Sequence, residues 1–155
     1  MLDELVETAL HRLEEPLVRY SVELRLPEDL PDVYVDATLI TQVFTNLLDN
    51  IIKYTPPGTH IQITAAVDDR SEAQARGSSV RILVDDDGPG LPAGDPARLF
   101  EKFQRGIGEG TIVGVGLGLA ICRAIVRAHH GDIEAHARPA GGTRIELTLP
   151  TTEST

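Results

Sequence analysis

The chain has no tryptophan, one cysteine, one methionine and only 4% aromatic residues in its 155 positions. Any core built from it must be aliphatic. With Cys122 as the single thiol, no internal disulfide can form. That fits a reducing compartment, so a cytoplasmic location is expected. Cys122 lies inside an apolar helical pattern, where a small core residue is expected rather than a nucleophile. Cations are also in short supply: 14 Lys and Arg face 24 Asp and Glu, a net charge of −10. Such a chain gains nothing from a phosphate backbone, so nucleic acid is not an expected partner. No apolar run approaches the length of a membrane span. The opening "MLDELVETAL" is acidic and amphipathic, without the basic segment of a signal peptide. No membrane contact is expected of this chain, and any anchor would lie outside it. What remains is 41% hydrophobic and 25% charged residues, a globular profile long enough for one sizeable core.

Periodicity orders the elements. Leu2, Leu5, Val6, Ala9, Leu10, Leu13 and Leu17 predict a helix over 2–20, with Pro16 near its end. Val22, Leu24 and Leu26 alternate with polar residues and predict a strand, and "VYV" at 33–35 could add a very short second one. Asp36 has the chemistry of an N-cap. Leu39, Ile40, Val43, Phe44, Leu47, Leu48, Ile51 and Ile52 then form a wide apolar helical stripe that "TPPG" at 55–58 stops. "HIQITAAV" and "SVRILVDDD" predict two strands joined by a polar hairpin loop. "DPARLFEKF" suggests a short helix, 104–115 a glycine-rich loop, and 117–129 a further helix. "DIEAHARP" and "TRIELTLP" predict a closing hairpin across "AGG". The expected fold is α+β: a two-layer sandwich with a mixed, mostly antiparallel sheet and helices on one face. Residues 1–150 are expected to form a single domain, with 151–155 a polar tail.

Three segments carry residue types that packing alone does not require. Asn46, Asn50 and Lys53 recur at i, i+4 and i+7 and so share a helix face. Asn is a poor interior helix former. Amide oxygens suit a hard cation such as Mg²⁺, and a lysine suits phosphate. A solvated face holding two asparagines is the alternative. "VDDDGPGLP" places Asp85, Asp86 and Asp87 before a tight turn. They could bind a metal, form a solvated turn, or include one buried carboxylate that accepts a hydrogen bond from a ligand amine. Gly88 and Gly90 would let a flat ligand approach the backbone. "GTIVGVGLGLA" at 110–120 lacks the Lys of a P-loop and the spacing of a dinucleotide fingerprint. Its glycines free backbone amides directly before a helix, where anions bind readily.

Together these segments resemble the GHKL ATP-binding superfamily with the Bergerat fold, and more closely the catalytic and ATP-binding domain of bacterial sensor histidine kinases. "NLLDNIIKYT" is similar to the N box, "DDGPG" at 86–90 to the G1 box, "LFEKFQRG" to the F box and "GVGLGLAIC" to the G2 box. Order and spacing agree over roughly residues 1–150. "LPEDLP…VD", "FQRG" and the wording after Gly114 further resemble the KdpD-type, potassium-responsive sensor kinases. The resemblance implies ATP and Mg²⁺ as ligands. Asn50 would coordinate Mg²⁺ with Asn46 helping at the phosphates. Lys53 and Arg105 would touch phosphate, and Tyr54 would lie against adenine or ribose. Asp86 would accept the adenine amino group, with Gly88 and Gly90 allowing close approach. Phe100 and Phe103 would anchor the hinge of an ATP lid. Gly114, Gly116, Leu117 and Gly118 would close over the triphosphate.

Asn46 separates relatives. GHKL ATPases such as gyrase B, the Hsp90 chaperones and the MutL proteins carry at that position a Glu that activates water, as do the anti-sigma-factor Ser kinases. An amide cannot act as a general base, which favours phosphoryl transfer over hydrolysis. The histidines are His11, His60, His129, His130 and His136, and none has the His-Asp/Glu…Thr-Pro context of a phosphoacceptor. The expected activity is therefore that of a histidine protein kinase catalytic domain. It would bind ATP·Mg²⁺ and phosphorylate a His on a separate dimerisation domain, from which a response regulator would draw the phosphoryl group. The alternatives are a non-catalytic nucleotide-binding module and a GHKL ATPase.

Overall fold

The computed structural model describes residues 1–68, 78–90, 100 and 113–151, with 113–117 described by their backbone alone. The expected polar hairpin loop, most of "DPARLFEKF" and nearly all of 104–115 lie outside the described residues. Helix α1 spans Leu2–Arg12 and buries Leu2, Leu5, Val6 and Ala9. The single helix expected over 2–20 is broken at Leu13, and a short α2 follows at Glu14–Leu17. The cause is Pro16. Its ring excludes the carbonyl of the residue four earlier, which is Arg12, where α1 stops.

Strand β1 is Ser21–Arg25. The "VYV" segment forms no strand. Val33 makes an isolated bridge to Thr151, and the Tyr34 amide donates to the Pro150 carbonyl at 2.8 Å. Asp36 caps α3, Ala37–Tyr54, by accepting from the Leu39 amide at 2.9 Å. The helix ends at Thr55, whose extended conformation is what a residue before proline adopts. The Tyr20 hydroxyl fixes this end by donating towards the Ile52 and Thr55 carbonyls, at 3.1 and 2.9 Å.

Strands β2 (His60–Asp68) and β3 (Ser79–Asp86) pair antiparallel, helix α4 covers Val113–Ala128, and β4 (Asp132–Ala137) and β5 (Thr143–Pro150) close the chain. The sheet order is β1-β2-β3-β5-β4, with β1 parallel to β2 and every other pair antiparallel. Alternation then decides the layers. Ile61, Ile63, Val80, Ile82, Ile133, Leu147 and Leu149 are fully buried on one face. Phe44, Ile40, Val43 and Leu48 of α3, with Cys122 and Val126 of α4, complete the same core. The intervening residues, among them Arg81, Asp85, Glu134, His136, Arg144 and Glu146, face the other way.

Helix α4 begins at Val113, four residues before the expected start. Glycine disfavours helix by about 1 kcal/mol per residue. The buried residues Leu119, Cys122 and Val126 anchor the helix body on the core, and propagation from an anchored helix is easy. At the other end His129 is fixed twice. Its Nδ1 lies 2.8 Å from the Ile125 carbonyl, and its Nε2 accepts from the Asp36 amide at 3.1 Å. An amide can only donate, so Nδ1 carries the proton and the ring is neutral. This strut ties the end of α4 to the cap of α3.

Candidate functional site

The turn after β3 meets the end of α3, where Gly88 lies against Thr55, and α4 meets α3 at Asn46 through Cys122. Asn46 and Asn50 are half-buried, and Lys53 and Tyr54 are exposed. The Asn46 carbonyl oxygen is already engaged, accepting from Gln42 Nε2 one turn earlier at 2.8 Å. Its NH₂ group also reaches the Cys122 thiol, which leaves one N–H to offer a ligand. The Lys53 ammonium pairs with Asp49 at 3.1 Å. Both partners are largely solvated, so the pair is weak and the ammonium can exchange to phosphate at little cost.

The three consecutive aspartates separate into three environments. Asp85 points to the open face and holds Arg144 in a two-pronged pair at 2.8 and 3.0 Å. Asp87 ties the turn to β2, accepting from the His60 amide at 2.8 Å. Asp86 pairs across the sheet with Ile61, which puts its carboxylate on the helix-covered face, where it is 6% exposed. Its Oδ1 accepts from the Gly88 amide at 2.9 Å. Burial raises its pKa above the ordinary 3.8, and the negative Asp87 adds to this. The amides of Gly88 and Thr143 and the Arg138 guanidinium oppose the shift without cancelling it. The carboxylate is thus buried on the helix side and held by backbone amides, and its remaining lone pairs could accept from a further donor. Of the three possibilities open for "VDDD", the burial of one carboxylate agrees with the third.

Two glycines set the geometry around Asp86. A Cβ on Gly88 would lie 2.5 Å from Thr55 Cγ2 and 3.1 Å from Asp86 Oδ1. The close approach that Gly88 allows is thus between the turn and the end of α3. Gly142, in the β4–β5 turn, has φ +100°, and a Cβ there would fall 1.9 Å from the Asp86 carbonyl oxygen. Arg138 donates to that same carbonyl at 3.0 Å. Sequence reading missed both Gly142 and Arg138. The repeated glycine in "AGG" was the available signal, and it had been assigned only to the hairpin turn. Gly90 also has positive φ, +99°.

Cys122 joins α4 to α3. Its thiol lies 3.7 Å from the Val43 carbonyl and contacts the Asn46 side chain. Burial pushes its pKa up to about 12, against the lowering effect of Asn46, so it is an inert packing residue as expected. Phe100 is buried, and the Arg123 guanidinium sits 4.8 Å from its ring centroid. Arg123 is a further residue that sequence reading did not single out. Among the described residues its buried Nε has no hydrogen-bond partner, and the ring is one contact it makes. Gly114, Gly116 and Leu117 belong to the first turns of α4. Gly118 has open space where a Cβ would stand. Phe103 and Arg105 lie outside the described residues.

The arrangement offers a buried acceptor at the end of β3, a row of amide and ammonium groups on α3, and the first-turn amides of α4, which helix geometry leaves without partners inside the helix. Similarity to known proteins points the same way. Residues 35–153 match the family described as histidine kinase-, DNA gyrase B- and HSP90-like ATPase. The chain is 44% identical over 149 residues to the sensor protein KdpD of Escherichia coli K12, covering 96% of the chain and 16% of that protein. It is 40% identical over 129 residues to the adaptive-response sensory kinase SasA of Nostoc, covering 83% of the chain and 30% of that protein. The chain thus spans a third or less of the length of the curated relatives it matches. The nucleotide-free catalytic domain of histidine kinase ThkA superposes with a TM-score of 0.79 at 28% identity, over 98% of this chain and 95% of that one. The mycobacterial sensor histidine kinase MprB gives 0.78 at 26% identity, over 97% and 94%.

Proposed function

The chain belongs to the histidine kinase-, DNA gyrase B- and HSP90-like ATPase family, on its histidine kinase side, and from that premise we propose that it binds ATP·Mg²⁺ and donates the γ-phosphate to a histidine on a separate helical domain. The observation that carries the reading is Asp86. It is a carboxylate buried on the helix side of the sheet at the end of β3, held by Gly88 and backed by Gly142. An adenine amino group would add a further donor to those from the backbone.

The rest of the site follows from charge and geometry. Asn50, half-buried on the same face as Asn46, would hold Mg²⁺ through its amide oxygen, a hard ligand. The metal would neutralise phosphate charge as the transfer proceeds. Asn46 would donate its NH₂ to a phosphate oxygen, since Gln42 already occupies its carbonyl. Lys53 would leave Asp49 for phosphate, Arg105 would join it, and Tyr54 would lie beside the adenosine. Gly88 and Gly90 would shape the adenine end. Phe100 and Phe103 would hold the hinge of the segment that covers the nucleotide, and Gly114, Gly116, Leu117 and Gly118 would close on the triphosphate. With an amide at Asn46, no side chain there can deprotonate water, so a protein nucleophile and not hydrolysis is the outcome. Residues 1–150 would act as one such domain. The likeness to KdpD over nearly the whole chain supports a KdpD-type role in potassium or osmotic signalling, with a response regulator taking the phosphoryl group downstream.

The test is transfer in trans. The chain is incubated with γ-labelled ATP, Mg²⁺ and the His-bearing helical domain of a KdpD-type kinase. Label should appear on that histidine and should vanish when the histidine is replaced. Tight ATP binding without label on any such domain would leave only a nucleotide-binding module. Rapid phosphate release by the chain alone would make it an ATPase.

A further inference from the structure

The sheet face turned away from the helices carries a cluster that the nucleotide site does not use. Glu134 and Glu146 are direct cross-strand partners on β4 and β5. Like charges opposite one another on neighbouring strands are destabilising, and the Arg81 and Arg144 guanidinium groups, on the same face, offset this on the Glu146 side. His136 lies two residues further along β4 and therefore on the same face. Its Nε2 is 3.4 Å from Glu134 Oε1 and 3.3 Å from Glu146 Oε1. Yet Nε2 is shielded from solvent and makes no hydrogen bond. The ring nitrogen is thus close to two carboxylate oxygens and aligned with neither, which is a poor arrangement for an N–H donor. The other Glu146 oxygen faces the Arg81 guanidinium at 3.5 Å, which leaves Oε1 turned to the imidazole.

The two spacings from Nε2 also suit a bound metal. The three donor atoms all lie within 4.8 Å of one another. Tetrahedral zinc, with bonds of about 2.0–2.2 Å, sets its ligand atoms about 3.3–3.5 Å apart. The two distances from Nε2 fall at that separation. One imidazole with two carboxylates is also a donor set that suits zinc better than magnesium or calcium. The geometry points to a zinc-binding site formed by Glu134, His136 and Glu146, with a fourth position left for water or a partner's side chain. Arg81 would steady Glu146 from outside, as outer partners of metal-bound carboxylates do. The site faces away from Asp86 and α3, so its zinc does not compete with nucleotide-bound Mg²⁺. Binding needs a neutral ring at His136, so affinity falls on acidification.

The experiment uses the whole chain, stripped with a chelator and titrated with Zn²⁺ in the absence of nucleotide, with imidazole signals followed by NMR. The expected result is saturable binding of a single equivalent that moves the His136 resonances. His136→Gln and Glu134→Gln should each weaken binding at least tenfold while keeping the metal-free melting temperature near that of the parent. Asn50→Ala should bind zinc like the parent. Two outcomes overturn the proposal: no saturable binding, or undiminished affinity in His136→Gln with the shifts on His11, His60, His129 or His130 instead.

Discussion

Replacing Asp86 by Asn changes one oxygen for an NH₂ group and removes one charge, and two properties should then move in opposite directions. The contact from the Gly88 amide, 2.9 Å to Oδ1, survives because the Asn carbonyl can take it. What is lost is the acceptor that would face the adenine amino group, and a donor now stands against a donor. A hydrogen bond to a charged acceptor contributes about 1.5–3 kcal/mol, so nucleotide affinity should fall by about 10- to 150-fold. ATP and ADP should lose equally, since both present the same adenine. Stability should change the other way. Burial raises the Asp86 pKa above 3.8, so ionising it costs the folded state free energy. Below that ordinary value both proteins carry a neutral side chain and should melt alike. As pH rises through the folded-state pKa the parent loses stability relative to Asp86→Asn, so at neutral pH the variant should melt higher. Isothermal titration with both nucleotides and thermal melts between pH 3 and 8 read the two effects. Loss of ATP affinity alone, or a variant that melts lower at neutral pH, would refute the reasoning.

Asn50→Ala should abolish Mg²⁺-dependent ATP binding with little change in melting temperature, because the residue is only half-buried; titration with and without Mg²⁺ checks this. Gly142→Ala places a Cβ 1.9 Å from the Asp86 carbonyl oxygen at φ +100°, so it should cost more than the about 1–2 kcal/mol of a left-handed non-glycine residue and weaken nucleotide binding too, as denaturant melts and titration would show. Phe44→Ala empties the centre of α3's packing, where the ring is 1% exposed, and should cost about 3–5 kcal/mol in chemical denaturation.

Much of this protein is legible in its one-dimensional pattern. The α3 stripe, its Asp36 cap and its Thr55-Pro56-Pro57 stop are local chemistry, and the structure repeats them. So are the alternating strands, since a period of two needs no partner to be seen. Asn46, Asn50 and Lys53 could be placed on one face because helical spacing is fixed. Elsewhere local signals competed. Pro16 outweighed an unbroken leucine pattern and split the first helix, and α4, anchored by its buried residues, extends through Gly114 into the stretch that reads as loop.

The sequence by itself determined the helix faces, the strand alternation and the set of chemical groups, because each depends on spacing along the chain. Tertiary structure alone decided which aspartate of "VDDD" is buried. It also decided that Gly142 and Arg138, more than fifty residues later, support that aspartate's backbone, and that Cys122 and His129 bind α4 to α3. Those contacts depend on the strand order β3-β5-β4 and on one helix lying against another, and no local period encodes either.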